Sequence, residues 1–186
     1  LRCLVGSEMC IRDRQGEVFE YFMECLCKAQ GTDLRTCLAH SFCLSADVSN
    51  AFDPNWPETC DKRNNSQLNY GVAICKYTGS RGKGGASDAS AEAMGHVRSM
   101  LDKAGVIWQI ATLGKVDQGG GGTVAAYMAN RNIVTVDAGV PVLSMHAPLE
   151  LVSKLDCYET MLACKAIYLA SVSYTHLRAH ETSQDL

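Results

Sequence analysis

Two potential metal ligands, each at the end of an apolar strand-like segment, are the first candidates for chemistry in this chain. The stretch LSAD ends at Asp47 and the stretch LSMH ends at His146. A catalytic zinc takes about three protein ligands and keeps one position for water, so one Asp and one His supply only part of a site. Considered singly, Asp47 could equally be a turn former or helix cap, and His146 a hydrogen-bonded structural side chain.

The elements that must position these residues alternate between helices and strands. Apolar residues recur at helical spacing in some segments and form short strand-like runs in others, with Gly-rich or polar connectors between them. This order predicts one α/β unit, a mixed sheet covered by helices. The predicted helices are 17–29, 89–104, 123–130 and 151–169, and the predicted strands are 41–48, 70–77, 106–111, 133–137 and 140–146.

Two helices carry more specific predictions. Ser87 or Asp88 is expected to cap the helix 89–104. The helix 151–169 carries apolar side chains that we expect to cover the sheet, namely Leu155, Tyr158, Met161, Leu162, Ile167 and Tyr168.

Several candidates fall at predicted strand ends, where open α/β sheets bind ligands. Asp47 and His146 lie there, and Asp117 and Thr123 flank the glycine run 119–122 just beyond the strand 106–111. The run could be a backbone nest that accepts an anion or a tight turn that excludes Cβ atoms. Without a partner pattern, the turn is favoured.

Nucleotide binding is not indicated by either glycine-rich segment. The stretch GSRGK at 79–83 departs from the phosphate-loop pattern, because Tyr77 occupies its first glycine position and Gly84 follows the lysine. The run 119–122 lacks the spacing of the dinucleotide fingerprint.

Composition narrows the class of protein and its partners. With 17 basic and 20 acidic residues the net charge is −3, and no segment is apolar for the length of a membrane span. We therefore expect neither nucleic acid nor membrane as a partner. Eight of the ten cysteines lie outside the first 14 residues without a C-x-x-C pair. This pattern favours reduced thiols and a cytoplasmic location over a disulfide scaffold or a zinc knuckle.

The two ends of the chain differ from the rest. Residues 1–14 and 171–186 have neither a helical nor a strand period and are similar to translated sequencing-adapter read-through. Such segments are excluded from fold reasoning. We accordingly assign residues 15–170 to the protein domain.

The residues themselves resemble a known family. The segments that carry the resemblance are SFCLSADVSNAFDPNWP, KRNNSQLNYGVAICKYTGSRGKGGASDASAE, LGKVDQGGGGTVAAYMAN and VDAGVPVLSMHAPLELVSK. In this order they resemble the carboxyl-terminal part of the M18 zinc aminopeptidases, bacterial branch. The resemblance implies a phosphorylase/hydrolase-like fold of the zinc exopeptidase type.

A co-catalytic pair of zinc ions is what the resemblance implies for chemistry, with other divalent metals as possible replacements. Asp47 matches a ligand of one zinc and His146 the final ligand of the other. The family's remaining ligands, a His, a bridging Asp and a Glu, and its general-base glutamate precede the matched region. The chain therefore contains no catalytic base, and we expect it to be inactive alone.

The substrate side is implied by four further matches. Lys76 matches a lysine that approaches the substrate, and Gly120 and Gly121 belong to a loop at the active-site rim. Asp117 either contacts the substrate amine or supports that loop, and support is favoured. In aspartyl aminopeptidases of this family, a histidine occupies the position of Asn50, and a tyrosine of the substrate pocket falls near Lys83. Because neither residue is matched, the resemblance does not imply a preference for acidic N-terminal residues in this chain.

Two functional hypotheses follow. The first is a fragment of a metalloaminopeptidase that releases N-terminal residues from peptides and forms homo-oligomers when full length. The alternative is a non-catalytic α/β binding or assembly module of the same fold.

Overall fold

The computed structural model describes residues 17–78, 87–115, 118 and 121–170. Within them the chain forms five α-helices, one short 3-10 helix (Pro57–Thr59) and seven strands. The helices are α1 (Val18–Ala29), α2 (Leu34–Ala39), α3 (Ala91–Ala104), α4 (Ala125–Ala129) and α5 (Lys154–Leu169). The strands are β1 (Phe42–Ser45), β2 (Ser49–Asn50), β3 (Val72–Cys75), β4 (Trp108–Ala111), β5 (Val134–Gly139), β6 (Pro141–Leu143) and β7 (Leu151–Val152).

The main sheet has four strands in the order β1-β5-β3-β4. β1 runs parallel to β5, β3 runs antiparallel to β5, and β4 runs parallel to β3. This mixed sheet with helices packed on it confirms the predicted fold class. β1 and β3 flank β5 and run in opposite directions. The last residue of each, Ser45 and Cys75, pairs with the same residue of β5, Asp137.

A second, smaller sheet has the order β2-β6-β7. β2 is parallel to β6, and β7 returns antiparallel to it. The predicted strand 41–48 is shorter in the structure: β1 ends at Ser45, β2 begins only at Ser49, and Asp47 lies between the two. β7 was not predicted, because its two exposed residues read as the start of the following helix.

The apolar core lies between one face of the main sheet and the helices α3 and α5. Side chains alternate between the two faces of a strand. Val72, Ile74 and Val136 face this core, together with Val97 and Leu101 of α3. Ala73, Cys75 and Asp137 alternate with them along their strands, so they lie on the opposite face.

Helix α3 begins later than predicted. Its cap is Ser90, whose side chain accepts a hydrogen bond from the backbone N–H of Ala93 at 3.1 Å. Ser87 and Asp88 instead lie in a short antiparallel pairing with the residues after β3, where Tyr77 bridges Asp88. All three residues are good cap formers, and the tertiary pairing selects Ser90.

The prediction for the last helix was right for two of its six side chains, since Leu162 and Ile167 pack against the core, and wrong for the other four. Leu155, Tyr158, Met161 and Tyr168 are all at least 40% exposed. The buried residues of α5 are Asp156, Glu159, Thr160 and Ala163. A polar stripe faces inward because its carboxylates have backbone donors to bind.

Those donors belong to the segments that begin β3 and β4. Asp156 accepts hydrogen bonds from the backbone N–H groups of Asn69 and Gly71, each at 2.8 Å, and Glu159 accepts one from Ile107 at 2.8 Å. A Cβ on Gly71 would be 2.1 Å from the carbonyl oxygen of Ile107, so the close approach there requires glycine.

Candidate metal and substrate site

A cleft lies on the sheet face opposite α3 and α5, at the level of Asp137 on β5. Asp137 is opposite Ser45 of β1 and Cys75 of β3. The lining of the cleft includes Asp47, Ser49, Cys75, Thr78, Thr123 and Asp137. The carboxyl ends of β1 and β3 meet here around an acidic residue of β5, whereas His146 does not line the cleft and Asp117 lies outside the described residues.

Asp47 is positioned by a contact between two main chains. A Cβ built on Gly139 would be 1.3 Å from the carbonyl oxygen of Asp47 and 2.4 Å from its carbonyl carbon. Only glycine allows this approach, because a β-carbon would overlap the backbone. The Asp47 side chain accepts a hydrogen bond from the backbone N–H of Val48 at 2.9 Å through Oδ1.

Asp137 is the acidic residue that the sequence reasoning missed as a site candidate. It is only 6% exposed. Burial raises the pKa of its carboxyl, and the charge of Asp47 acts in the same direction, against nearby hydroxyl groups that include Thr123. The signal available in the sequence was a single carboxylate within the strand VTVDAG, which is otherwise nearly apolar.

The two oxygens of Asp137 have different surroundings. Oδ2 accepts hydrogen bonds from the hydroxyl of Thr123 at 2.5 Å and from that of Thr78 at 3.4 Å. Oδ1 is buried and no hydrogen bond of ordinary geometry reaches it within the described part of the chain, although the Ser45 hydroxyl opposite, also buried, lowers the pKa of the carboxyl. A buried polar atom without a partner is uncommon and often marks a functional position.

Lys76 lies next to the cleft lining, directly after β3. Its ammonium pairs with Asp88 at 2.5 Å and donates to the carbonyl of Ala89 at 3.1 Å. About half of its side chain remains accessible to solvent. Contact with a substrate would require the ammonium to share or exchange these partners.

His146 lies in the turn between β6 and β7. Its backbone has φ +67° and that of Ser144 has φ +58°, both in the left-handed region. This conformation is uncommon for residues other than glycine and is often found at functional sites. Glu150 stabilises the turn by accepting a hydrogen bond from the backbone N–H of His146 at 2.5 Å.

The glycine-rich rim is described only in part. Asp117 and Gly120 lie outside the described residues. Gly121 is described, and a Cβ there would be 3.8 Å from Leu113 Cδ2, an ordinary contact distance. The packing of this chain therefore does not by itself require glycine at position 121.

The donor atoms suit zinc, although their number does not complete a shell. Asp47 offers a carboxylate at the cleft and His146 an exposed imidazole. Throughout the described ranges no group of three or more His, Cys, Asp or Glu side chains could hold a metal ion. Nor does a hydrogen bond or ion pair within those ranges join Asp47, His146 and Lys76 to one another.

Comparison with known families accounts for this combination of features. The model of the family described as aminopeptidase I zinc metalloprotease (M18) matches residues 5–168. The chain belongs to the M18 family. A probable M18 family aminopeptidase 1 of Clostridium acetobutylicum is 53% identical over 127 residues, which are 68% of this chain and 27% of that protein.

Solved M18 structures share the fold. An M18 aminopeptidase from Thermotoga maritima matches with a TM-score of 0.79 and 41% identity, over 83% of this chain and 35% of its own. The Saccharomyces cerevisiae mApe1 dodecamer matches with a TM-score of 0.64 and 22% identity over 92% of this chain and 36% of its own, which shows the fold alone. The chain spans less than a third of the length of curated M18 relatives from Clostridium acetobutylicum and Borreliella burgdorferi.

Proposed function

We propose that this chain supplies one part of the catalytic centre of a zinc aminopeptidase that removes N-terminal amino acids from peptides. The observation that carries the proposal is the placement of Asp47 at a cleft by Gly139, within a chain that belongs to the M18 family. The close contact between the main chains of Gly139 and Asp47 fixes the position of the Asp47 carboxylate, as a metal ligand requires.

Asp47 and His146 are the proposed metal ligands, one for each zinc of a two-metal centre. When bound, such zinc ions polarise the scissile carbonyl and lower the pKa of a bound water. Asp47 would offer its carboxylate from the break between β1 and β2, and His146 its imidazole from the strained turn after β6. The general-base glutamate and the other ligands are expected upstream of the matched region.

Lys76, Asp117, Gly120 and Gly121 are the proposed substrate-binding residues. The ion pair of Lys76 with Asp88 reduces the positive charge available to an acidic side chain of the substrate. The side-chain amide of Asn50 also has a partner within the chain, because it donates a hydrogen bond to the sulfur of Cys60 at 3.4 Å. Both contacts support a substrate preference that is not restricted to acidic residues.

We further infer a peptide substrate, a cytoplasmic location and a homo-oligomer for the full-length protein. None of the described helices is long and apolar enough to cross a membrane. Large apolar side chains of α5, including Tyr158 at 55% exposed, offer a surface that assembly could cover. The dodecamer formed by yeast mApe1 supports the oligomer only through the shared fold.

The activity of the chain by itself tests the assignment of the missing groups. With only two of five expected metal ligands and no general base, the purified chain should not hydrolyse aminoacyl peptides in the presence of zinc. Peptide release is measured by mass spectrometry, with zinc in buffer as the blank. Clear turnover that survives repurification would show that the chain assembles a complete site.

Metal content tests the two ligands directly. In the 186-residue chain, Asp47→Ala and His146→Ala should leave zinc titrations almost unchanged, because each ligand lacks its partners. In the longer protein encoded with its upstream residues, each substitution should lower the zinc content toward one ion per subunit by plasma mass spectrometry. Glu58→Ala, at an exposed carboxylate, is the matched control.

The alternative function is a non-catalytic binding or assembly module. Such a module would keep the α/β core and its oligomer surfaces without metals. The upstream reading frame separates the two functions. A His, a bridging Asp and a Glu-Glu pair there support the peptidase, and their replacement by other residues supports the module.

A further inference from the structure

A closed triangle of oxygen atoms joins three segments around the cleft. Thr123 Oγ1 lies 2.5 Å from Asp137 Oδ2, Thr78 Oγ1 lies 3.4 Å from the same oxygen, and the two hydroxyls are 3.3 Å apart. Asp137 belongs to β5, whereas Thr78 and Thr123 lie in the connections after β3 and before α4. The triangle therefore links residues that are 45 and 59 positions apart in the chain.

The donors and acceptors of this triangle are consistent with a directed network. Each threonine hydroxyl has one proton to donate and accepts at its lone pairs. Thr123 donates its one proton to the carboxylate, so its oxygen can only accept from Thr78, whose own proton goes either to that oxygen or to the carboxylate. A hydrogen bond to a charged group is stronger than one between neutral groups.

The two threonines stand at the bases of the glycine-rich segments. Thr78 directly precedes residues 79–86, and its backbone N–H donates to the carbonyl of Ser87 at 3.3 Å on the far side of that segment. Thr123 directly follows the glycine run 119–122. Both threonines line the cleft with Asp137 and Asp47.

We propose that Asp137 is a positioning residue that holds the bases of these two glycine-rich segments at a fixed separation beside Asp47. Glycine-rich chain does not set its own geometry, because glycine has the largest conformational freedom of any residue. A buried carboxylate on a central strand supplies the fixed point. The consequence for substrate binding rests on the proposed function, whereas the link between the two bases does not.

Hydrogen exchange on the purified 186-residue chain tests the link. Thr123→Val removes the hydroxyl while keeping the shape, which avoids the cavity that Asp137→Ala would leave. Loss of a charge-assisted hydrogen bond should accelerate amide exchange roughly tenfold near Thr123. The decisive measurement is whether amide exchange also accelerates at Thr78 and Ala89. Their backbone N–H groups donate to the carbonyls of Ser87 and Lys76 at the base of the other glycine-rich segment.

Thr123→Ser restores the hydroxyl and should return exchange at both bases to that of the parent chain. The amides of β1 and α3 serve as internal references for global stability. Acceleration confined to residues 121–129, equal acceleration at the reference amides, or no change at Thr78 and Ala89 would each overturn the proposal. None of these outcomes depends on zinc or on peptidase activity, so the proposed function is tested separately.

Discussion

Two buried carboxylates lie on opposite faces of the main sheet and illustrate two uses of the same side chain. Asp156 of α5 is fully buried and binds two backbone N–H groups, one with each oxygen. Asp137 of β5 is nearly as buried, yet one oxygen receives two hydroxyls and the other has no partner within the described residues. The first arrangement stabilises the fold, and the second is typical of a position kept for function.

Each carboxylate is accompanied by a glycine at a close main-chain contact. Beside Asp156, Gly71 approaches the carbonyl of Ile107, and on the Asp137 face Gly139 approaches that of Asp47. The contact at Gly71 joins two core strands, whereas the contact at Gly139 positions a proposed metal ligand. Sterically similar contacts thus serve the core on one face and the cleft on the other.

The largest expected effect is at Asp156. Asp156→Ala leaves the buried N–H of Gly71 and the partly buried N–H of Asn69 without acceptors and should lower the free energy of unfolding by about 3 kcal/mol. The loss is measured by urea denaturation. Lys165→Ala, on the exposed side of the same helix, is the control and should change little. A decrease in the free energy of unfolding no larger than that of an ordinary surface substitution would contradict a structural role for Asp156.

Gly139→Ala tests the cleft side of the comparison. The new Cβ overlaps the Asp47 backbone, so either β5 or Asp47 must move, at a cost of about 3 kcal/mol. Gly95→Ala is a matched control in α3, where a Cβ meets nothing within 4 Å. The control should gain about 0.5 kcal/mol or more from helix propensity. Equal melting temperatures for the two variants would contradict the contact.

Amide substitutions compare the two carboxylates directly. Asp156→Asn removes an acceptor from one backbone N–H and should cost about 2 kcal/mol. Asp137→Asn keeps an oxygen for Thr123 and removes a charge that burial disfavours, so at neutral pH its cost should stay below about 1 kcal/mol. Both are measured by urea denaturation at the same pH. A larger loss at Asp137 than at Asp156 would reverse the assignment of the two roles.

The smallest effect concerns Cys75, which lies opposite Asp137 in the sheet. Burial raises the pKa of its thiol from 9.0 to about 12, and the charge of Asp137 acts in the same direction. The folded state therefore keeps a proton that the unfolded state releases above about pH 9, so stability falls as pH rises through that window.

Urea denaturation near neutral pH and at about pH 10.5 measures this loss. Cys75→Ala should reduce the alkaline slope, and Cys157→Ala, at an exposed thiol, should leave it unchanged. Asp137→Asn should reduce it only slightly, because burial is the main cause. A large reduction in that variant would mean that the carboxylate, and not burial, controls the thiol.

Local signals in the sequence were sufficient for the class of fold and for most elements. Helical spacing and apolar runs predicted α1, α3, α4, α5 and five of the strand regions, because the period of the apolar residues differs between a helix and a strand. The family segments predicted Asp47, His146 and Lys76 as site residues, and these three assignments stay predictions. α2 was missed, although Asp33 caps it by accepting from the backbone N–H of Thr36 at 2.9 Å.

Long-range pairing determined what local patterns could not. The face of α5 that packs inward carries buried carboxylates beside its apolar residues, because those carboxylates bind backbone donors that lie 52 to 87 positions away in the chain. The role of Asp137 likewise depends on register, since β1 and β3 must end at one level of β5 before Ser45, Cys75 and Asp137 can meet.

The amino-acid sequence thus carries the α/β class, the family and the ligand-type residues, because residue type, periodicity and motif order are properties of neighbouring positions. Only the pairing of distant strands creates the cleft and the contact of Asp47 with Gly139. The same pairing gives Asp137 and Asp156 their different environments. Burial and hydrogen-bond partners are properties of the assembled fold, and they distinguish a structural carboxylate from one placed at a site.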